Sequence, residues 1–175
     1  MTEAGQDHVI LVDEQDRELG TMEKMAAHEQ GVLHRAFSIF VFNAKNELLI
    51  HKRAKSKYHS GGLWTNTCCS HPRLGETVLK AAHRRLQEEM GMEADLVSQF
   101  TFIYFQELDK GLTEHELDHV LFGKSDAQPQ PNPDEVEAWR YISFRQLQEE
   151  MTNSPDDFTA WFKICFEAVA ERWSP

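Results

Sequence analysis

A chain of 175 residues with 41% hydrophobic and 27% charged side chains has the make-up of one soluble globular domain, read here as a single domain over 1–175. Its formal net charge of −11 argues against a non-specific nucleic-acid binder or a binder of anionic membranes, so any anion it takes must meet a local concentration of cations. The opening MTEAGQDHVILVDEQ has no basic n-region, no apolar run of membrane-spanning length follows, and three cysteines with a vicinal Cys68-Cys69 pair make no even disulfide framework; a reducing cytoplasm fits best.

In chain order, His8–Val12 reads as a strand that turns at Asp13–Arg17. Ala36–Phe42 and Glu47–His51 are β-rich runs joined through Asn43-Ala44-Lys45-Asn46, a hairpin signal. Thr77–Met90 has helical character and Gly91 is its C-terminal stop. Phe100–Glu107 and Glu116–Gly123 resemble two further strands around the turn-prone Asp109-Lys110-Gly111. A stiff Gln128–Pro133 loop precedes a short strand at Trp139–Ile142. Ser143-Phe144-Arg145-Gln146 matches a capping box. Ser154 then offers an N-cap, Pro155 an N1 proline and Asp156-Asp157 first-turn acids, for a helix carrying Phe158, Trp161, Phe162, Cys165, Phe166 and Val169 at helical spacing. Early strands, an intervening helix and a helical tail predict an α+β layered domain.

Three segments carry chemistry. Thr65-Asn66-Thr67-Cys68-Cys69-Ser70-His71-Pro72 sets a cysteine two residues before a histidine. Glu114 and Glu116 alternate along a predicted strand, so both carboxylates point to one face. His28 and His34 lie upstream, near a strand start, separated by a turn-prone Glu-Gln-Gly. Neutral imidazoles with carboxylates suit Mn²⁺, Fe²⁺, Zn²⁺ or Mg²⁺, and five such ligands favour a six-coordinate ion with one open position. Nine histidines also meet by chance, and an E-x-E strand is commonly just a solvated face. His51, His59, His83, His115 and His119 are competing donors, and spacing alone does not choose among them.

From Glu76 to Met92 the pattern Glu76-x7-Arg84-Arg85-Leu86-Gln87-Glu88-Glu89-Met90-Gly91 resembles the Nudix box, in which glutamates of a loop–helix–loop face a diphosphate-bound cation. Ser70 stands where that box opens with Gly, and Arg85 replaces a metal-binding Glu. A cation at that position suits holding a diphosphate rather than cleaving it, since Arg matches phosphate oxygens bidentately. The plain alternative makes Arg85–Glu89 and Arg84–Glu88 helix-surface pairs worth tenths of a kcal/mol.

Taken together, Lys24-x3-His28, His34-x2-Phe37-Ser38, Arg53-x2-Ser56-Lys57, Trp64-Thr-Asn-x-Cys-Cys69-x-His71-Pro72, Arg85-x3-Glu89-x-Gly91, Tyr104, Glu114-x-Glu116 and Trp161 resemble the metal-dependent, flavin-free type I isopentenyl-diphosphate isomerases of Nudix-like fold. The resemblance runs from about Val9 to Trp161 and implies mixed or antiparallel sheets flanked by helices. It further implies one metal on His28, His34, His71, Glu114 and Glu116 (Mn²⁺, Zn²⁺ or Mg²⁺), with Cys69 and Glu116 as the proton-transfer pair and Tyr104 orienting the glutamate. Lys24, Arg53, Lys57 and Arg85 are then expected on the diphosphate, with Glu89 on an accompanying Mg²⁺.

Shifting an unactivated double bond from the 3,4 to the 2,3 position needs a strong acid, a base and dry, electron-rich walls around a tertiary carbocation. A free thiol titrates near ~8.5, close enough to exchange its proton beside a metal at cellular pH. Trp161 can supply a π-face worth about 2 kcal/mol or more when desolvated, although its helix-mates allow it a plain core role. Lys52, Arg53, Lys55 and Lys57 form the densest basic cluster of an acidic chain, and Cys68 is expected to pack as a small apolar residue. The apolar last helix either closes the pocket or meets a partner, which leaves a monomer or a weak homodimer. A Nudix diphosphohydrolase is the first rival, with Arg85 and Cys69 against it; a non-enzymatic metal-binding module is the second, and the retained Cys69 and Glu116 oppose it.

Overall fold

A computed structural model describes residues 8–173. They form nine strands and four helices: β1 (His8–Val12), β2 (Glu18–Glu23), α1 (Lys24–Gln30), β3 (His34–Phe42), β4 (Leu48–Arg53), β5 (Trp64–Thr65), β6 (Cys68–Ser70), α2 (Val78–Met90), β7 (Asp95–Glu107), β8 (Thr113–Lys124), β9 (Val136–Ile142), α3 (Phe144–Asn153) and α4 (Ala160–Arg172). The α+β expectation, with a mixed sheet flanked by helices, holds.

β3 is the hub. It pairs antiparallel with β1, β4 and β6 and parallel with β8, while β7 extends the sheet beyond β8 and β9 extends it beyond β4. Parallel pairing buries both faces of the hub strand, which explains its near-continuous apolar run. Alternation then sorts the side chains. Phe37, Ile39 and Val41 pack with Ala81, Leu86 and Met90 of α2, whereas Phe40 and Phe42 pack with Phe162, Phe166 and Val169 of α4.

Local signals set most of the boundaries. Thr77 caps α2 by accepting a hydrogen bond from the Lys80 N–H at 3.2 Å, and Gly91 ends it at φ 58. A Cβ at Gly91 would lie 2.1 Å from the Gln130 carbonyl oxygen, so the Gln128–Pro133 loop can close over the helix end only against glycine. The hairpin between β3 and β4 turns through Asn46 at φ 59.

Several elements differ from expectation: β5 and β6 are new, β7 begins at Asp95 rather than Phe100, and β8 and β9 begin at Thr113 and Val136 rather than Glu116 and Trp139. β2 and α1 are additional elements; α1 is capped by the Glu23 carboxylate, which accepts from the Met25 and Ala26 N–H groups. The last helix starts at Ala160, not at Pro155. Pro155–Asp157 forms a separate 3₁₀ turn, and Phe158 runs extended to bridge Trp64, whose carbonyl accepts the Thr159 N–H at 3.0 Å. Pairing with β5 outcompetes one more helical turn. No helix among the described residues is long and apolar enough to cross a membrane.

Candidate active site and metal centre

Strand register assembles the donors. Along the parallel β3–β8 pair His34 lies opposite Glu116, and across β7–β8 Tyr104 lies opposite Glu116 from the other side. Glu114, Glu116 and Asp118 alternate along β8, so all three buried carboxyls share one face. His28 arrives from the last turn of α1, where the left-handed Gly31 turns the chain towards β3.

The histidines are oriented from behind. His28 Nδ1 meets the Lys24 carbonyl at 2.7 Å and His34 Nδ1 the Val32 carbonyl at 2.8 Å. A carbonyl accepts only, so each Nδ1 carries the proton and each Nε2 presents a lone pair forward. Both Nε2 atoms are buried without a hydrogen-bond partner, at 3.5 Å from Glu114 Oε2 and Glu116 Oε1 respectively, and Glu114 Oε2 is also unpartnered. Leaving such groups unsatisfied costs about 1–3 kcal/mol each. His28, His34, His71 and Glu116 offer donor atoms within 4.8 Å of one another, and Glu114 stands in an adjoining group with His28 and His59. Convergent bare lone pairs beside carboxylates fit a divalent cation.

Charge in the pair is unevenly held. Burial and the neighbouring Glu116 push Glu114 above the usual carboxyl range. Burial also acts on Glu116, but His34 and His71 beside it hold it well below that range. A proton held by the pair therefore sits on Glu114, and a cation bound there displaces it.

Cys69 sits on β6 opposite Ser38 of β3. Its Sγ donates to Asn66 Oδ1 at 2.9 Å and lies 3.4 Å from Ser38 Oγ. Asn66 is itself locked, since Nδ2 donates to the Ile39 and Cys68 carbonyls at 3.0 and 3.2 Å. Ser38 Oγ donates to Asp118 Oδ2 at 2.6 Å. Burial and the Asp118 carboxyl push the Cys69 thiol well up, so it stands as a neutral thiol, unlike the free-cysteine behaviour used for the sequence. Cys68 faces the other side of β6, fully buried against α2, and its thiol donates to Glu89 Oε2 at 3.0 Å. It packs in the core as expected and adds a polar contact.

Cys69, His71, Glu116, Tyr104, Trp161 and Arg53 all line one recess of about 320 Å³. Tyr104 Oη donates to Glu116 Oε2 at 2.8 Å, and His71 Nε2 lies 2.9 Å from Glu116 Oε1. Trp161 belongs to the α4 core and also walls the recess, so its two sequence readings are compatible.

A second basin, of about 710 Å³, meets the recess at Ser70 and His71 and collects Lys24, Lys57, Arg73, Arg84 and Arg85. Burial, with Lys57 and Arg85 nearby, pulls Lys24 down to about 8. Arg85 donates to Glu89 at 2.7 Å and to Glu135 at 3.3 Å, and Lys57 also pairs with Glu135. The basic run expected at 52–57 divides. Lys57 faces the basin and Lys52 lies 3.6 Å from Glu137, whereas Arg53 turns into the recess, with its guanidinium 5.3 Å from the Trp161 ring. Glu89 lies on the basin side of the molecule and outside both metal-donor groups.

Four residues at these sites were missed in the sequence. Asp118 continues the E-x-E alternation by one more step, a signal that was there to follow. Asn66 lay inside the cysteine motif without a role. Glu135 follows the proline loop with no periodic neighbour, and His59 was set among the competing donors.

Residues 32–162 match the family model of the NUDIX domain. The chain is 52% identical over 165 residues to an isopentenyl-diphosphate Delta-isomerase of Pectobacterium atrosepticum, covering 94% of this chain and 92% of that one. It is 48% identical to isopentenyl-diphosphate Delta-isomerase 2 of Aromatoleum aromaticum, covering 94% of this chain and 87% of the relative. A crystal structure of a Deinococcus radiodurans protein superimposes with a TM-score of 0.77 at 20% identity, covering 95% of this chain and 99% of that one, a likeness of fold alone. The chain belongs to the Nudix family. Within that family its near-full-length identity to these relatives makes it a member of the isopentenyl-diphosphate Delta-isomerases.

Proposed function

We propose that this chain interconverts isopentenyl and dimethylallyl diphosphates, a step of isoprenoid synthesis, as one working domain over 1–175. The carrying observation is the continuity of two sites: a recess holding the Cys69 thiol and the Glu116 carboxyl opens at Ser70 and His71 onto a cationic basin. The Trp161 wall of the first suits a short branched alkene, and the cations of the second suit its diphosphate.

The reaction moves one proton in and one out. A proton added at C4 leaves the positive charge on C3, and a proton lost from C2 completes the new double bond. Cys69 and Glu116 are the transfer pair, and Tyr104 fixes the Glu116 oxygen to which it donates. Trp161 offers its ring to the tertiary cation. Lys24, Lys57 and Arg85 hold the diphosphate, with Arg53 reaching it from the recess and Glu89 on the Mg²⁺ that accompanies it. A divalent ion (Zn²⁺, Mn²⁺ or Mg²⁺) on His28, His34, His71, Glu114 and Glu116 supplies a fixed positive charge that eases proton loss from a bound carboxyl. A reducing cytoplasm suits the three free thiols, and the packing of α4 against the sheet favours a chain that closes its own pocket, as a monomer or weak homodimer.

Proton NMR of isopentenyl diphosphate in D₂O with the protein and Mg²⁺ tests this. Dimethylallyl diphosphate carrying deuterium is expected; phosphate release without isomerisation would instead indicate a hydrolase.

A further inference from the structure

His59 lies in the loop between β4 and β5, was one of several histidines with no evident partner in the sequence, and is almost completely buried at 2% exposure. Its Nε2 is a third buried imidazole nitrogen without a hydrogen-bond partner, alongside those of His28 and His34. That atom stands 2.8 Å from Glu114 Oε1, yet the contact lacks the alignment of a hydrogen bond. A buried imidazole nitrogen and a carboxylate oxygen this close, with no hydrogen bond between them, have the spacing of cis ligands of one ion, which at ligand distances of 2.0–2.2 Å stand about 3 Å apart. One donor atom from each of His28, His59 and Glu114 falls within 4.8 Å of the other two.

The surroundings hold the ring as a ligand's ring is held. His59 Nδ1 meets Ser60 Oγ at 3.2 Å, which leaves Nε2 to face the carboxylate. Arg53 Nη2 donates to the His59 carbonyl at 3.1 Å. Tyr58 and Trp161 pack edge-on to the ring, with centroids at 4.3 and 5.6 Å. Ser60 takes a left-handed φ of 51, a conformation that costs a non-glycine residue energy and that the packing here enforces.

We propose that His59 is a further ligand of the metal, joining Glu114 and His28 on the side of the centre that faces Trp161. The inference rests on the reading that the His–Glu cluster holds a divalent cation. With His59 the candidate donors are four imidazoles and two carboxylates, in two groups that share His28, and their number would fill six positions without the open position expected from five ligands. Nitrogen-rich donors also favour Zn²⁺, Mn²⁺ or Co²⁺ over Mg²⁺, which prefers oxygen.

The test loads the full-length chain with Co²⁺ and counts imidazoles by X-ray absorption. Wild type should show four and His59→Ala three. Chelator competition should show the variant binding Co²⁺ about tenfold or more weakly, since even outer-shell partners change metal affinity 10–100-fold. Added free imidazole should restore much of that loss by entering the space vacated. Three imidazoles in the wild type, or unchanged Co²⁺ affinity in the variant, would overturn the proposal. Should His59→Ala fail to fold, the wild-type count decides alone. A wild type that binds no Co²⁺ would sink the metal reading itself, an outcome distinct from failure of His59 alone.

Discussion

The recess and the basin are built on opposite principles. The recess and the donor cluster behind it gather atoms that lack partners: three imidazole nitrogens and a carboxylate oxygen are bare, those of His34 and Glu114 held on paired strands. The basin gathers charges most of which are already partnered, with Lys57 and Arg85 on Glu135, Arg85 on Glu89, and Arg84 on Glu76, while Lys24 and Arg73 have no ion-pair partner among the described residues. Unsatisfied groups on a fixed frame suit one ion of defined geometry. On the proposed function, cations resting on internal carboxylates can exchange partners when a diphosphate arrives and resume them when it leaves. Chemistry needs the first arrangement, and turnover benefits from the second.

The sharpest way to break this division is at the thiol. Cys69→Ala should lower isomerisation by about a thousandfold, within the range of a lost general acid or base, with metal content unchanged. Cys68→Ala should keep most activity and lose stability, because its buried thiol serves α2 and Glu89. Steady-state rates and metal analysis of both variants check the pair, and equal losses would show that alternation along β6 does not select the reactive thiol. At the centre, chelation should remove activity, and His28→Ala, His34→Ala and His71→Ala should each lower metal content. His115→Ala and His119→Ala should not, since these side chains point to the Gly31 carbonyl and to Asp16.

In the basin, Arg85→Glu should raise KM about 10- to 100-fold, the range of one charge-assisted hydrogen bond of about 1.5–3 kcal/mol. Phosphate release should not appear. An unchanged KM would reduce Arg85 to a partner of Glu88 and Glu89. The smallest effect belongs to Glu135. Burial raises its pKa, but Lys57 and Arg85 more than offset this and hold it at about 2. A depressed carboxyl contributes stability above its unfolded pKa and loses it as pH falls through the folded value. The urea midpoint of the wild type should therefore exceed that of Glu135→Gln at pH 6, and the gap should shrink from about pH 4.5 towards 2.

What the sequence made legible was local or periodic. The Thr77 cap, the Gly91 stop and the Glu114–Glu116 alternation each follow from a few neighbouring residues. The gathering of His28, His34 and His71 around these carboxylates was legible only through the motif order of a family. His59 reaches Glu114 from a loop without periodicity, and Glu135 joins Lys57 across 78 positions, so no window of sequence contains either contact. The late start of α4 shows a different limit. Ser154-Pro155-Asp156-Asp157 has every local mark of a helix start, and the pairing of Phe158 with Trp64 overrides it.

The parallel β3–β8 register has a consequence for biosynthesis. His34 meets Glu116 only after β8 has docked along β3, nearly half of the chain away. Chains fold progressively as they emerge, so a nascent chain stopped before residue 114 has histidines but neither carboxylate of the centre. The full His–Glu donor set is therefore complete only once the chain has been made past Glu116 and β8 has paired with β3.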